Sequence, residues 1–190
     1  RMLYTEIEKC LRKRAGRKTD WKNDLPALKK VIYTELDELF VPTSEMEVGK
    51  VIGKGATSEV YIGQYMFSPV AIKKIRLGSL TQKQLVSIVN EISCLKKIRH
   101  PNVISLYSMA IDQNQSVYLA TELCEQLSLK SFFQKFTGKI PIKVKVKIIF
   151  DIAKALYHIH TQNPCIVHRD VKPENVFLTG DLKAKLGDFG

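Results

Sequence analysis

The chain has 190 residues, 45% hydrophobic and 26% charged, with a formal net charge of +11. This is the composition of a soluble globular protein, with room for one domain or one domain plus a helical extension. No apolar run is long enough to cross a bilayer, and the start Arg1-Met2-Leu3-Tyr4-Thr5-Glu6 lacks the apolar core of a secretory signal.

The first residue is not Met, which suggests a processed, engineered or incomplete product. Cys10, Cys94, Cys124 and Cys165 form no CxxC pair, so neither a zinc site nor a disulfide framework is indicated. Reduced thiols in the cytosol or nucleus are the plain expectation, with a cytoplasmic protein the localisation expected. The positive charge raises nucleic acid as a partner. The excess is spread along the chain, however, apart from Arg12-Lys13-Arg14-Ala15-Gly16-Arg17-Lys18, and no aromatic residue interleaves that cluster to stack on bases. Its two readings are a solvated helix end and a patch for nucleic acid or lipid; the expectation is no nucleic acid and no membrane span.

In chain order, Leu3, Ile7 and Leu11 recur at helical spacing before a break at Gly16. A second helix is expected from Asp24, with Pro26 in its first turn, Leu25, Leu28, Ile32, Leu36 and Leu39 on one side, and its end at Pro42. Residues 1–45 thus read as a basic helical extension. They could be an adaptor, the tail of an upstream domain, a calmodulin target, or a module for an acidic partner.

From Met46 the pattern turns to strands. Val48–Ile52 and Val60–Tyr65 flank a glycine loop, and Pro69–Ile75 is rich in β-branched residues. Thr81-Gln82-Lys83-Gln84 fits a capping box opening a helix with the stripe Leu85, Ile88, Ile92 and Leu95. Glu91, at the edge of that stripe, should face the sheet. Val103–Ala110 and Val117–Thr121 read as two more strands. Ser128 caps a helix over 129–136, and Pro141 opens a long one with Ile142, Val146, Ile149, Ala153, Leu156 and His160 on one face. Val176–Thr179 and Leu182–Leu186 form a hairpin across Gly180-Asp181.

Between these elements lie four motifs: Gly53-Lys54-Gly55-Ala56-Thr57-Ser58-Glu59-Val60; Val70-Ala71-Ile72-Lys73; His168-Arg169-Asp170-Val171-Lys172-Pro173-Glu174-Asn175; and Asp188-Phe189-Gly190. Gly53 and Gly55 have no Cβ, so the backbone there can close over phosphate oxygens and offer N–H groups, although such a loop alone is usually only a turn. Together and in this order, the four resemble the signature set of a eukaryotic protein kinase catalytic domain, over about residues 46 to 190.

The resemblance implies an α+β, bilobal protein-kinase-like fold: a complete N-lobe over 46–120, made of an antiparallel sheet plus one helix, a hinge over 121–127, and only the first part of a helical C-lobe over 128–190. It also implies that the chain stops where an activation segment should begin. The apolar stripe of the long helix should then be partly bare, because the helices that cover it in the family are missing.

The same resemblance implies an ATP-dependent kinase acting on Ser/Thr hydroxyls of proteins with Mg²⁺; Lys172 is the mark of the Ser/Thr type. Lys73 and its helix partner Glu91 would serve the α- and β-phosphates. Asp170 would orient the substrate hydroxyl, Lys172 would neutralise the γ-phosphate, and Asn175 and Asp188 would hold metal. Gly53, Lys54, Gly55, Ala56, Thr57 and Ser58 would cover the phosphates, with Ser58 standing where the family's third Gly is usual. Val60, Ala71 and Phe177 would enclose adenine; Thr121 would be the gatekeeper, Glu122 and Cys124 the hinge contacts, and Ser128 a ribose contact unless it only caps its helix. Leu95, Leu106, His168 and Phe189 match a stacked apolar column. The short link Met66-Phe67-Ser68 and the hinge Thr121-Glu122-Leu123-Cys124 resemble the tyrosine-kinase-like group of Ser/Thr kinases. The competing reading is a nucleotide-binding pseudokinase or scaffold.

Overall fold

The computed structural model describes residues 36–189 except Ala56 and Gln115. The helix expected over 3–11, most of the one expected from Asp24, the basic cluster and the call on Ala56 therefore lie outside the described residues. Among the described residues two compact units emerge, one comprising 36–93 plus Tyr107–Ala120, the other Cys94–Leu106 plus 121–189.

The first unit is built on a five-stranded sheet ordered β1-β2-β3-β5-β4. Its strands are β1 (Met46–Lys54), β2 (Ser58–Tyr65), β3 (Ser68–Arg76), β4 (Leu106–Ile111) and β5 (Ser116–Glu122). β2 and β3 pair antiparallel from Ser58↔Ile75 to Tyr65↔Ser68. The two residues that join them, Met66 and Phe67, both have positive φ (48° and 60°), as a primed hairpin turn requires. Phe67 is fully exposed there.

Alternation on β3 sends Val70 and Ile72 into a core cluster with Met46, Ala110 and Ala120. Gly63 lies opposite Val70, and a Cβ there would sit 2.4 Å from Ile72 Cδ1 and 2.3 Å from the Glu47 carbonyl oxygen. Only glycine leaves room for Ile72 to cross the sheet.

α1 (Gln82–Lys97) follows β3. The expected capping box is present: the Gln84 N–H donates to Thr81 Oγ1 (3.3 Å), and the Thr81 N–H donates to Gln84 Oε1 (2.8 Å). Leu85, Val89, Ile92 and Leu95 of this helix are buried.

Before β1 the expected helix does not run to Pro42. A short 3-10 turn, Asp37–Leu39, ends at Phe40, which is extended. Phe40 makes a parallel bridge with Met109, and the Val41 N–H donates to the Met109 carbonyl (2.9 Å). The exposed edge of β4 offers backbone partners that continued helix would leave unmade, so the chain straightens.

The second unit holds α2 (Leu129–Lys135), α3 (Ile142–His160) and the hairpin β6 (Val176–Leu178) with β7 (Ala184–Leu186). The strand expected over 103–110 divides here. Val103 bridges Leu186 and the Ile104 N–H donates to the Leu186 carbonyl (2.9 Å), while the sheet strand starts only at Leu106. Apolar alternation is the same on both stretches; the partner is not.

On α3, the stripe read from the sequence is the bare one. Ile142, Val146 and Ile149 are 71%, 58% and 66% exposed, whereas the helix buries Ile148, Asp151, Ala155 and Ile159. Among the described residues no helix is long and apolar enough to cross a membrane.

Candidate active site

The glycine loop closes between β1 and β2. Gly53 pairs with Val60 and Lys54 with Glu59, and the Gly55 N–H donates to the Ser58 carbonyl (2.8 Å). Lys73, at the middle of β3, reaches Glu91 of α1 at 3.2 Å; their side chains are 24% and 10% exposed. Glu91 thus faces the sheet, as its place on the helix stripe predicted. Lys74 points to the other face, over the Tyr118 ring at 5.2 Å, and Ala71 is half-buried on the Lys73 side.

The loop before β6 gathers the polar residues of the third motif. Asp170 is contacted by Lys172 Nζ at 2.6 Å and by Asn175 Nδ2 at 2.8 Å. The Lys172 ammonium, followed by the Asn175 amide, holds the Asp170 carboxyl below its usual range, and Asp170 in turn raises Lys172. Asn175 Nδ2 also donates to the Asp170 backbone carbonyl (2.9 Å), and the Asn175 carbonyl accepts from the Gly187 N–H (3.0 Å). Asn175 therefore ties the loop to the residue preceding Asp188.

His168 completes this link. It is buried, accepts from the Asp170 N–H at Nδ1 (3.3 Å), and has Nε2 2.9 Å from the Gly187 carbonyl. With Nδ1 accepting, the proton sits on Nε2 and is donated to Gly187. Burial outweighs the nearby acceptors and lowers its affinity for a second proton. Its ring packs on Phe189 at 4.6 Å, and Leu95 and Leu106 are buried likewise. Arg169 and Asp188 both have positive φ (67° and 52°), the sharp bends that turn the loop around Asp170 and open the chain at Asp188.

In the 121–127 segment, the Glu122 N–H donates to the Ser105 carbonyl (2.9 Å), and the Leu127 N–H donates to the Cys124 carbonyl (3.0 Å). Thr121 is half-buried. Cys124 is 4% exposed, and burial pushes its thiol up to about 12. Ser128 Oγ accepts the Ser131 N–H (3.1 Å), so its capping duty is real, and its backbone bridges Phe177 of β6. Thr57 and Ser58 are half-buried at the loop.

Sequence reasoning missed three residues that brace this site. Lys185, two residues before Gly187, is buried and paired with Glu122 at 2.8 Å. Asn102 Nδ2 donates to the Ala184 carbonyl (2.8 Å), and Asp151 of α3 accepts the Ala184 N–H (3.2 Å). Nothing in the local run Lys183-Ala184-Lys185 marks Lys185 for burial. An aspartate in the middle of an amphipathic helix was the one available signal for Asp151.

Residues 46–190 match the family described as "Protein kinase domain". The chain belongs to the protein kinase domain family. Among similar proteins, this kinase domain chain is 35% identical over 152 residues to "Cell division control protein 7" of Schizosaccharomyces pombe, covering 79% of the chain and 14% of that protein. It is 32% identical over 159 residues to "Probable serine/threonine-protein kinase drkB" of Dictyostelium discoideum, covering 83% of the chain and 23% of that protein. Against drkA of the same organism, of the same printed description, the identity is 31% over 159 residues, with 83% and 25% covered. The chain thus spans a quarter or less of the length of these relatives. The sheet with its single helix is the N-lobe of a protein kinase, and the second unit is the first part of its C-lobe.

Proposed function

We propose that this kinase domain belongs to a cytoplasmic enzyme transferring the γ-phosphate of ATP to Ser/Thr hydroxyls of proteins. The observation that carries the reading is the Asp170–Lys172–Asn175 cluster: a carboxylate kept ionised at the surface, with an ammonium at 2.6 Å and an amide at 2.8 Å. A carboxylate so placed can orient a hydroxyl and accept its proton, while the neighbouring lysine offsets charge on the transferring group. The printed names of the relatives support the Ser/Thr class. The free thiols of Cys124 and Cys165 support a reducing compartment.

The residues present suit Mg²⁺. Asn175 uses its amide nitrogen twice on Asp170, which leaves the amide oxygen as its ligand atom. Asp188 adds a carboxylate, and oxygen donors fit a hard cation shared with substrate phosphates. Held by Asn175 and Asp188, such a cation would supply positive charge to offset the negative charge of the phosphates.

The chain's own part is positioning. Gly53 and Gly55 let the loop backbone cover the phosphates; Lys73, steadied by Glu91, contacts them. Val60 and Ala71 in the first unit, and in the second Phe177, Thr121 and the Glu122 and Cys124 main chain, are each assigned to adenine by the family resemblance. Lys54, Ala56, Thr57 and Ser58 complete the phosphate cover, and Ser128 lies beside the ribose.

The test is phosphate transfer from labelled ATP to Ser/Thr and to Tyr peptides by the protein carrying this domain, with nucleotide binding measured in parallel. Transfer to Ser/Thr peptides supports the proposal. Nucleotide binding without transfer would favour a scaffold role.

A further inference from the structure

Two imidazoles outside the phosphoryl-transfer site pack on one another. His100, in the loop after α1, stacks on His158 of α3 with ring centroids 4.6 Å apart and planes at 23°. Each ring uses one nitrogen to accept from a group that can only donate. The Asn102 N–H points at His100 Nδ1 at 3.1 Å. The Gln162 amide nitrogen lies 3.4 Å from His158 Nε2, and its bond to the His158 carbonyl (3.0 Å) fixes the amide's orientation. A neutral imidazole accepts at one nitrogen, whereas an imidazolium donates at both. Both contacts therefore hold only while the rings are uncharged.

The surroundings disfavour a proton. Burial comes first, then the charges of His158 and Lys154 on α3, Lys183 in the turn before β7, and Lys185 on β7; together they hold His100 below the usual imidazole range. The neighbouring acids are engaged: Asp151 by Lys154 at 2.7 Å and by the Ala184 N–H, Glu122 by Lys185 at 2.8 Å. Arg99 of the same loop reaches the Leu106 carbonyl instead. A cavity of about 490 Å³, lined also by Phe150, Tyr157 and Thr161, gives solvent access to the pair.

We propose that the His100–His158 stack is an acid-sensitive clasp between the 98–105 loop and α3, closed while both rings are neutral and opened when either takes a proton. Opening reaches beyond the rings. Asn102, whose N–H loses its acceptor, holds β7 through its side chain to Ala184 O and through its carbonyl to the Leu186 N–H, each at 2.8 Å. β7 leads directly into Gly187 and Asp188. Acidification therefore loosens the strand that leads into Asp188.

The sign follows from linkage. His100 binds a proton more readily unfolded, near 6.5, than folded, so its contribution is complete above that pH and is lost as pH falls below it.

The experiment uses the whole 190-residue chain and its His158→Phe variant, which keeps a stacking ring and removes one titrating group. Histidine ring signals, Asn102 amide protection and thermal unfolding are followed by NMR and calorimetry from about pH 7.5 to about pH 5.5. Asn102 protection is expected to fall by about tenfold or more as His100 titrates. The loss of melting temperature on acidification should be smaller in the variant, because without His158 beside it His100 should titrate at higher pH. Equal pH slopes in the two proteins would overturn the clasp. If the variant does not fold, the wild-type titration decides: His100 passing through its own titration with Asn102 protection unchanged overturns it equally.

Discussion

Asn175 holds Asp170 twice through one amide nitrogen, at the backbone carbonyl (2.9 Å) and at the carboxylate (2.8 Å). The pair shows how the loop works as a unit: the residue that fixes the carboxylate also receives the Gly187 N–H, so the approach to Asp188 is set by the same side of the loop. A change at one of these positions should be read at the others.

Asp170→Asn, in the protein carrying this domain, should lower peptide phosphorylation by roughly 10²–10⁴-fold while leaving nucleotide affinity nearly unchanged. Lys73→Met should abolish transfer by another route. It removes the ammonium that meets Glu91 at 3.2 Å, so nucleotide binding should weaken too. Turnover measured beside nucleotide titration separates the two; activity of Asp170→Asn within about tenfold of wild type would refute the assignment.

Asp188→Ala should weaken Mg·ATP more than metal-free ADP, because its proposed role is to hold the cation. Calorimetric titration of each nucleotide, with and without Mg²⁺, checks this. Equal losses would make Asp188 a purely structural residue.

Thr81→Ala removes the acceptor of the Gln84 N–H at the start of α1. The expected loss is about 0.5–2 kcal/mol, seen as a lower melting temperature, and Thr81→Ser should restore most of it.

Gly63→Ala and Gly78→Ala should differ in sign or size. A Cβ at Gly63 meets the Glu47 backbone at 2.3 Å, whereas at Gly78 it meets nothing within 4 Å. The first should cost about 1–3 kcal/mol by forcing β1 and β2 apart. The second should be neutral or stabilise by about 0.4–1 kcal/mol. Denaturant unfolding of both proteins measures the contrast.

Cys124, buried and pushed up to about 12, should stay a thiol at neutral and mildly alkaline pH. Cys165 is exposed. Brief alkylation of the folded chain followed by peptide mass analysis should find Cys165 modified well before Cys124. Equal labelling would mean that the 121–127 segment opens readily.

Much of this molecule is legible in its residues because the relevant forces are local. A capping box needs only four consecutive positions, and it stands at Thr81–Gln84 as read. The two strands read on either side of the glycine loop pair antiparallel as β1 and β2. The phosphoryl-transfer motifs are legible for a related reason: the spacing from His168 to Asn175 sets a single loop, within which the contacts among Asp170, Lys172 and Asn175 span only a few residues.

What tertiary structure decided depends on partners far away in sequence. Periodicity identifies α3 as amphipathic, yet two apolar stripes fit its 3.6-residue repeat. The stripe of Ile142, Val146 and Ile149 is bare, as expected from the sequence, but the second stripe, Ile148, Asp151, Ala155 and Ile159, was not read there, and packing against β7 buries it. Lys185 is buried, and a carboxylate at Glu122, more than sixty residues earlier, makes that burial tolerable. Helical spacing continued the helix expected from Asp24 to Pro42, but the open edge of β4 offered Phe40 and Val41 backbone partners and drew them straight. A hydrogen-bond acceptor or counter-charge supplied by a distant segment leaves no mark on the local pattern, which is why these choices belong to the fold.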